Sequence, residues 1–228
     1  MVFLLAIIAG LADVVGGLLP FFARTKNISM RYVLAFAAGT VIAAAFFELL
    51  PESKVEDNWM YLGLGFFVYY LIEKGLELHA CGERECEARG VSWITVVGMA
   101  SDNIIDGIGI GVGFIVNPIL GVLITLAVIA HEVPQGMATT LIMKDAGYKL
   151  NRIIPTLIFA GVLYPAGVAI SGFVPERFLG PAIAFVAGVF IYVGASALMH
   201  EAHKSFNFKV ILVLLMGAGL ALGLRFLE

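Results

Sequence analysis

Apolar runs long enough to cross the roughly 30 Å hydrocarbon core of a bilayer recur along the whole chain, with only short connectors between them. Such runs predict spanning helices, because in hydrocarbon each backbone polar group must be satisfied within the structure. Eight are expected, over 2–22, 30–50, 58–78, 91–116, 119–143, 153–173, 179–199 and 208–226, with a longer polar loop at 79–90. The chain therefore reads as one all-α polytopic membrane domain over 1–228. Composition agrees: 61% of the 228 residues are hydrophobic and 14% charged, and the mean hydropathy is +0.98. The opening segment lacks the charged start and small-residue cleavage site of a signal peptide, so it reads as a first span that is kept. Nucleic-acid binding finds no support, since the basic residues sit in short loops and form no patch.

The basic residues also set an orientation. With the N-terminus outside, the inward connectors hold Arg24, Lys26, Arg31, Lys74, Arg84, Arg89, Lys144, Lys149, Arg152, Lys204 and Lys209, leaving Lys54, Arg177 and Arg225 outside. An excess of Lys and Arg on the cytoplasmic side predicts that both termini face out. The second and seventh spans share a pattern at one constant offset: Phe36, Ala38, Gly39, Ile42, Leu49 and Glu52 match Phe185, Ala187, Gly188, Ile191, Leu198 and Glu201. Spans five apart in order cross the membrane in opposite directions, so the match predicts an inverted repeat, as in secondary transporters.

Two polar clusters interrupt the apolar pattern, Asp102, Asn103 and Asp106 in the fourth span and His131, Glu132 and Gln135 in the fifth. Each set falls at i, i+1 and i+4, and at about 100° per residue this confines it to one narrow helix face. A carboxylate at mid-bilayer costs roughly 2.5–3.5 kcal/mol even on the insertion scale. No Lys or Arg in either span offsets Asp102, Asp106 and Glu132. A divalent cation would do so, and carboxylate, amide and imidazole ligands without thiolate suit zinc, iron or manganese. The alternative is an uncharged hydrogen-bonded packing network. Gly107, Gly109, Gly111 and Gly113 allow close helix packing and are expected to let the backbone leave regular helix after Asp106. Pro134 removes a backbone hydrogen bond and frees the carbonyl of Ala130.

His131, Glu132 and Gln135 also approach the H-E-x-x-H pattern of zinc hydrolases, which raises an intramembrane metalloprotease as a rival. Gln135 stands in place of the second histidine, and Pro134 is expected to break the turn that would align the ligands. A membrane metal sensor that moves nothing is a second rival. Other candidates lie apart. Asp13, beside Gly16 and Gly17, could face a transport path, and Glu48 and Glu52 could attract cations at an entrance. His200, Glu201 and His203 could bind metal at the inner end of the seventh span. His79, Cys81 and Cys86 stand among five acids in the inward loop, and a reducing cytosol makes a metal-collecting role or a plain linker more fitting than a disulfide.

The segment His131, Glu132, Val133, Pro134, Gln135, Gly136 resembles the fifth-span signature of the ZIP family of divalent metal transporters. Asp102, Asn103, Ile104, Ile105, Asp106, Gly107 resembles that family's H-N-x-P-E-G pattern in the fourth span, and the run from Ala38 and Gly39 to Leu50, Pro51 and Glu52 also fits. The resemblance implies a 3+2+3 helix arrangement with inverted outer triplets, a homodimer in the cell membrane, and uptake toward the cytosol by alternating access rather than enzymatic catalysis. It implies a first metal site of Asp102, Asp106, His131 and Gln135 and a second of Asn103, Asp106, Glu132 and Gln135. Zinc, manganese, iron and cadmium are the implied substrates. Asp102 stands where the family usually has histidine, Ile105 where it has proline, and Asp106 where it has glutamate, giving a harder and more acidic first site. Tyr164 precedes Pro165 where some members carry a bridging glutamate.

Overall fold

A computed structural model of the chain describes residues 1–22, 30–81, 93–145, 147–199 and 208–225. These residues form helices and turns, with no strand among them. In chain order the long helices are α1 (Val2–Phe22), α2 (Met30–Ala44), α3 (Val55–Cys81), α4 (Trp93–Val116), α5 (Pro118–Asp145), α6 (Leu150–Ser171), α7 (Leu179–Tyr192) and α8 (Phe208–Arg225). Helix α2 continues through a π-helical segment, Ala45–Leu49, into Leu50–Glu52, and α7 continues through a second π-helical segment, Val193–Leu198. The two π segments fall at the same relative position in the matched stretches of α2 and α7. Among the described residues, five helical stretches are long and apolar enough to cross a membrane: Val2–Phe21, Arg31–Glu52, Pro118–Leu141, Leu150–Ser171 and Glu176–Ser196. Phe208–Gly223 is apolar but shorter. The chain is thus an all-helical polytopic membrane protein. Its outward side chains, such as Leu4, Phe67, Phe159 and Met216, are apolar, as a lipid-facing surface requires.

Local chemistry sets the limits of the central helix α5. Asn117 Oδ1 accepts a hydrogen bond from the Ile119 amide at 2.9 Å, and Pro118, whose missing amide costs nothing there, opens the helix. At the other end Gly147 takes φ +85°. The Tyr148 amide then donates to the Met143 carbonyl and the Gly147 amide to that of Lys144, each at 2.9 Å, which closes the last turn.

Glycines decide how the helices cross. A methyl on Gly39 of α2 would stand 2.0 Å from the Leu214 carbonyl oxygen of α8, and one on Gly217 of α8 would stand 2.1 Å from that of Phe36. The same reciprocal arrangement joins α3 to α7 through Gly65 and Gly188, and α4 to α6 through Gly107 and Gly167. Small residues on both partners let backbones touch, and this closeness supplies dispersion contact that apolar lipid cannot. The glycines after Asp106 serve this packing alone: contrary to the expected departure from helix there, α4 runs unbroken to Val116. Contact with the Tyr164 backbone leaves no room for the chain to bulge at Gly107.

The most extensively packed pairs of long helices are α1 with α5 and α6, α4 with α5 and α6, α2 with α5 and α8, and α3 and α4 with α7. Exchanging α1 with α6, α2 with α7, α3 with α8 and α4 with α5 maps this set onto itself. At its centre, α4 and α5 lie against each other with α1 and α6 beside them. Small residues of α2 and its π-helical continuation, including Ala35, Ala38, Val41 and Ala45, fill the adjoining core.

Candidate functional site

The polar faces of α4 and α5 meet near the middle of both helices. His131 Nε2 lies 3.0 Å from Asp106 Oδ2 and 3.0 Å from Glu132 Oε1. Gln135, half-buried one turn further on, donates from Nε2 to Asp102 Oδ2 at 3.3 Å. One ligand atom from each of Asp102, Asp106, His131 and Glu132 can be chosen so that all lie within 4.8 Å of one another. All four residues are at most 2% exposed.

The donors and acceptors show what this arrangement asks for. His131 Nδ1 is 3.0 Å from the Ala127 carbonyl oxygen, which can only accept, so Nδ1 carries a proton and donates it. With Nδ1 so engaged, Nε2 is the ring nitrogen turned to the carboxylates of Asp106 and Glu132, where either a proton or a metal ion can sit between them. A backbone carbonyl fixing the tautomer in this way is the usual support behind a metal-binding imidazole. Asp102 Oδ1 and Glu132 Oε2 are buried without hydrogen-bond partners. Among the described residues no Lys or Arg ion pair reaches the cluster. Lone pairs converging on one point in an apolar bundle are a chemical invitation to a cation. Phe190 and His131 pack as a T-shaped pair with ring centroids 5.9 Å apart, which helps to hold the imidazole in place.

Asn103 sits beside the cluster but turns to α6, where its Nδ2 donates to the Ala160 carbonyl at 3.1 Å. Its Oδ1 is buried without a partner. Asp13 of α1 is also buried, next to Asn103 and Glu132. Tyr164 of α6 is fully enclosed and neighbours Glu132 and Asp13. Glu48 is buried inside the π segment of α2, away from the interfacial exposure expected of an entrance acid, whereas Glu52 is exposed. His79 and Cys81 lie on the last turn of α3. Their side chains, together with Cys86, His200, Glu201 and His203, lie outside the described residues.

Two neighbours escape a reading of the sequence. Tyr69 of α3 is buried close to Asp102, and Phe190 of α7 covers His131. An aromatic in an apolar run carries no local mark of the polar group it will meet. Pro134 also acts differently from the expected break: α5 stays helical through it, and His131 and Gln135 keep one face toward α4. The close seating of α1 holds the helix together, since methyls on Gly16 and Gly136 would stand 2.3 Å and 2.1 Å from the Val133 and Asp13 carbonyl oxygens. Thr140 Oγ1 adds a 2.7 Å hydrogen bond to the Gly17 carbonyl.

Comparison with known proteins places this arrangement. The model of the family described as ZIP zinc transporter matches residues 73–225, more than half of the chain and all of α4 and α5. An uncharacterized protein of Methanocaldococcus jannaschii is 26% identical over 93% of this chain and 94% of its own length. The zinc transporter foi of Drosophila melanogaster is 30% identical over 58% of this chain, and the zinc transporter ZIP13 of Pongo abelii 25% identical over 72%. The matched part amounts to 20% of the Drosophila protein and 56% of the Pongo protein. With the family model covering the two helices that build the buried cluster, the chain belongs to the ZIP family, a family of transporters rather than enzymes.

Proposed function

We propose that this protein moves divalent transition-metal cations across a membrane toward the cytosol, as a secondary transporter working by alternating access. The observation that carries this reading is the mutual approach of Asp102, Asp106, His131 and Glu132 inside an apolar bundle. Gln135 and Asn103 complete the polar set. Its chemistry is ligand exchange: carboxylates and one imidazole replace a metal's hydration shell in the bundle and give the ion back on the other side. Zinc is named for the Drosophila and Pongo relatives, and the acidic Asp102 extends the range to manganese and iron, with cadmium a further substrate to be compared. All eight long helices would span, in a 3+2+3 arrangement with inverted outer triplets. The self-mapping set of packed pairs and the matched π segments support that symmetry. Both termini would face out of the cell membrane, in keeping with the distribution of Lys and Arg, and the assembly would be a homodimer.

The test is metal uptake into proteoliposomes holding a trapped metal-sensitive dye, with zinc, manganese, iron and cadmium compared. Uptake should disappear in both Asp106→Ala and His131→Ala. If the wild-type protein binds metal and moves none, the transporter reading fails in favour of a sensor; cleavage of a transmembrane peptide would favour a protease.

A further inference from the structure

Helix α3 supplies none of the four residues of the buried cluster, yet it reaches one of them. Phe66, Tyr69, Tyr70 and Glu73 recur at i, i+3, i+4 and i+7 and so share one face of α3. Gly65 and Gly188 seat α3 on α7 at backbone contact. The rings of Phe66, Tyr69 and Tyr70 gather there around Tyr192 of α7, with centroids 5.3, 5.5 and 6.0 Å from its own. The Tyr69 ring is thereby held in place, 9% exposed, with its phenol hydroxyl in hydrogen-bonding reach of the Asp102 carboxyl. From the other side, Gln135 Nε2 donates to Asp102 Oδ2 at 3.3 Å.

Asp102 is thus approached by two donors, the Gln135 amide from α5 and the Tyr69 phenol from α3. A carboxylate held on two sides keeps one orientation and offers a cation a single oxygen, whereas one free to turn can chelate with both. The difference matters for selectivity. At one ligand atom each, Asp102, Asp106, His131 and Glu132 bring four donors within 4.8 Å of one another. Four is the number that zinc takes in closed protein sites. Both oxygens of Asp102 would make five, and larger, oxygen-rich shells suit ions of the manganese and calcium class. We propose that Tyr69 is a specificity-determining residue that acts through Asp102. By keeping that carboxyl to binding through one oxygen, it favours zinc over ions that take larger shells, and so offsets part of the hardness that Asp102 brings. The role of Tyr69 rests on reading the cluster as a metal site, but its test needs no transport.

The experiment titrates the full chain, purified in detergent, with Zn²⁺ and separately with Mn²⁺, and reads both affinities by calorimetry. Tyr69→Phe keeps the ring and its packing on Tyr192 and loses only the hydroxyl. It should weaken zinc binding by about tenfold, as the loss of a supporting partner does, and leave manganese binding equal or tighter. Tyr192→Phe removes a phenol from the same aromatic group without touching Asp102 and should leave both affinities unchanged. Adding Tyr69→Phe to Asp102→Ala should likewise change neither affinity further, because the hydroxyl then has no carboxyl to hold. An unaltered ratio of zinc to manganese affinity in Tyr69→Phe, the same shift in Tyr192→Phe, or the same shift in the Asp102→Ala background would overturn the role of Tyr69 while leaving the transporter reading intact. A wild-type chain that binds neither metal would overturn both.

Discussion

His131 Nε2 lies 3.0 Å from Asp106 Oδ2 and so ties α5 to α4 at the centre of the bundle. Because Nδ1 is committed to the Ala127 carbonyl, Nε2 is the nitrogen left to bind a metal. His131→Ala should lower zinc affinity by more than the roughly 10–100-fold typical of losing a supporting partner, as measured by calorimetry in detergent. In ¹⁵N-histidine spectra, zinc should move the Nε2 resonance strongly and leave Nδ1 protonated. A strong shift at Nδ1 instead would show that the ring binds through the other nitrogen.

Asp102 makes the cluster harder than one with a second imidazole. Asp102→His should raise zinc uptake relative to manganese, read as the ratio of the two fluxes in competition. It also replaces the carboxylate that receives the Gln135 amide, so total uptake should fall while the ratio rises. An unchanged ratio would mean that Asp102 takes no part in selecting the ion.

The glycine crossings carry stability that can be measured against an internal control. Gly39→Ala forces a methyl to within 2.0 Å of a backbone oxygen that cannot rotate away, and should cost about 1–3 kcal/mol or more. Nothing lies within 4 Å of a methyl added at Gly63 of α3. Gly63→Ala should therefore be neutral or stabilising by about 0.5–1 kcal/mol, through its better helix propensity. Thermal unfolding of the two variants in one detergent compares them directly; equal melting temperatures would contradict the close approach of α2 and α8.

Pro134 sets a helix bond aside between Glu132 and Gln135. Pro134→Ala restores the amide that the Ala130 carbonyl lacks, and should stabilise α5 by on the order of 1–3 kcal/mol. The same change tightens the turn that spaces Glu132 and Gln135, so metal uptake should fall as the melting temperature rises. A variant gaining both stability and uptake would show that the proline has no part in shaping the site.

Much of this molecule is legible in its sequence because the relevant physics is local. Long apolar runs choose helix and membrane by themselves, since a spanning backbone must satisfy its own polar groups. Helix periodicity likewise puts Asp102, Asn103 and Asp106 on one face, and His131, Glu132 and Gln135 on another. The fifth-span signature around His131 and Pro134 carries the family resemblance in a few adjacent residues.

Which groups meet is a different matter, decided where the helices cross. Asn103 turns to Ala160 on α6 rather than to its neighbours in the cluster, and Gln135 pairs with Asp102. Asp13, Tyr69, Tyr164 and Phe190 reach the centre from four other helices, each without a local sign of its neighbours. The expected breaks after Asp106 and at Pro134 are absent for the same reason. Reciprocal glycine contacts seat α6 against α4 and α1 against α5, and this packing holds the backbone helical where local rules would let it leave. The sequence alone determined that polar faces would be buried in a helical membrane bundle; only the tertiary structure decided which lone pairs share a point, because that depends on contacts between residues far apart in the chain.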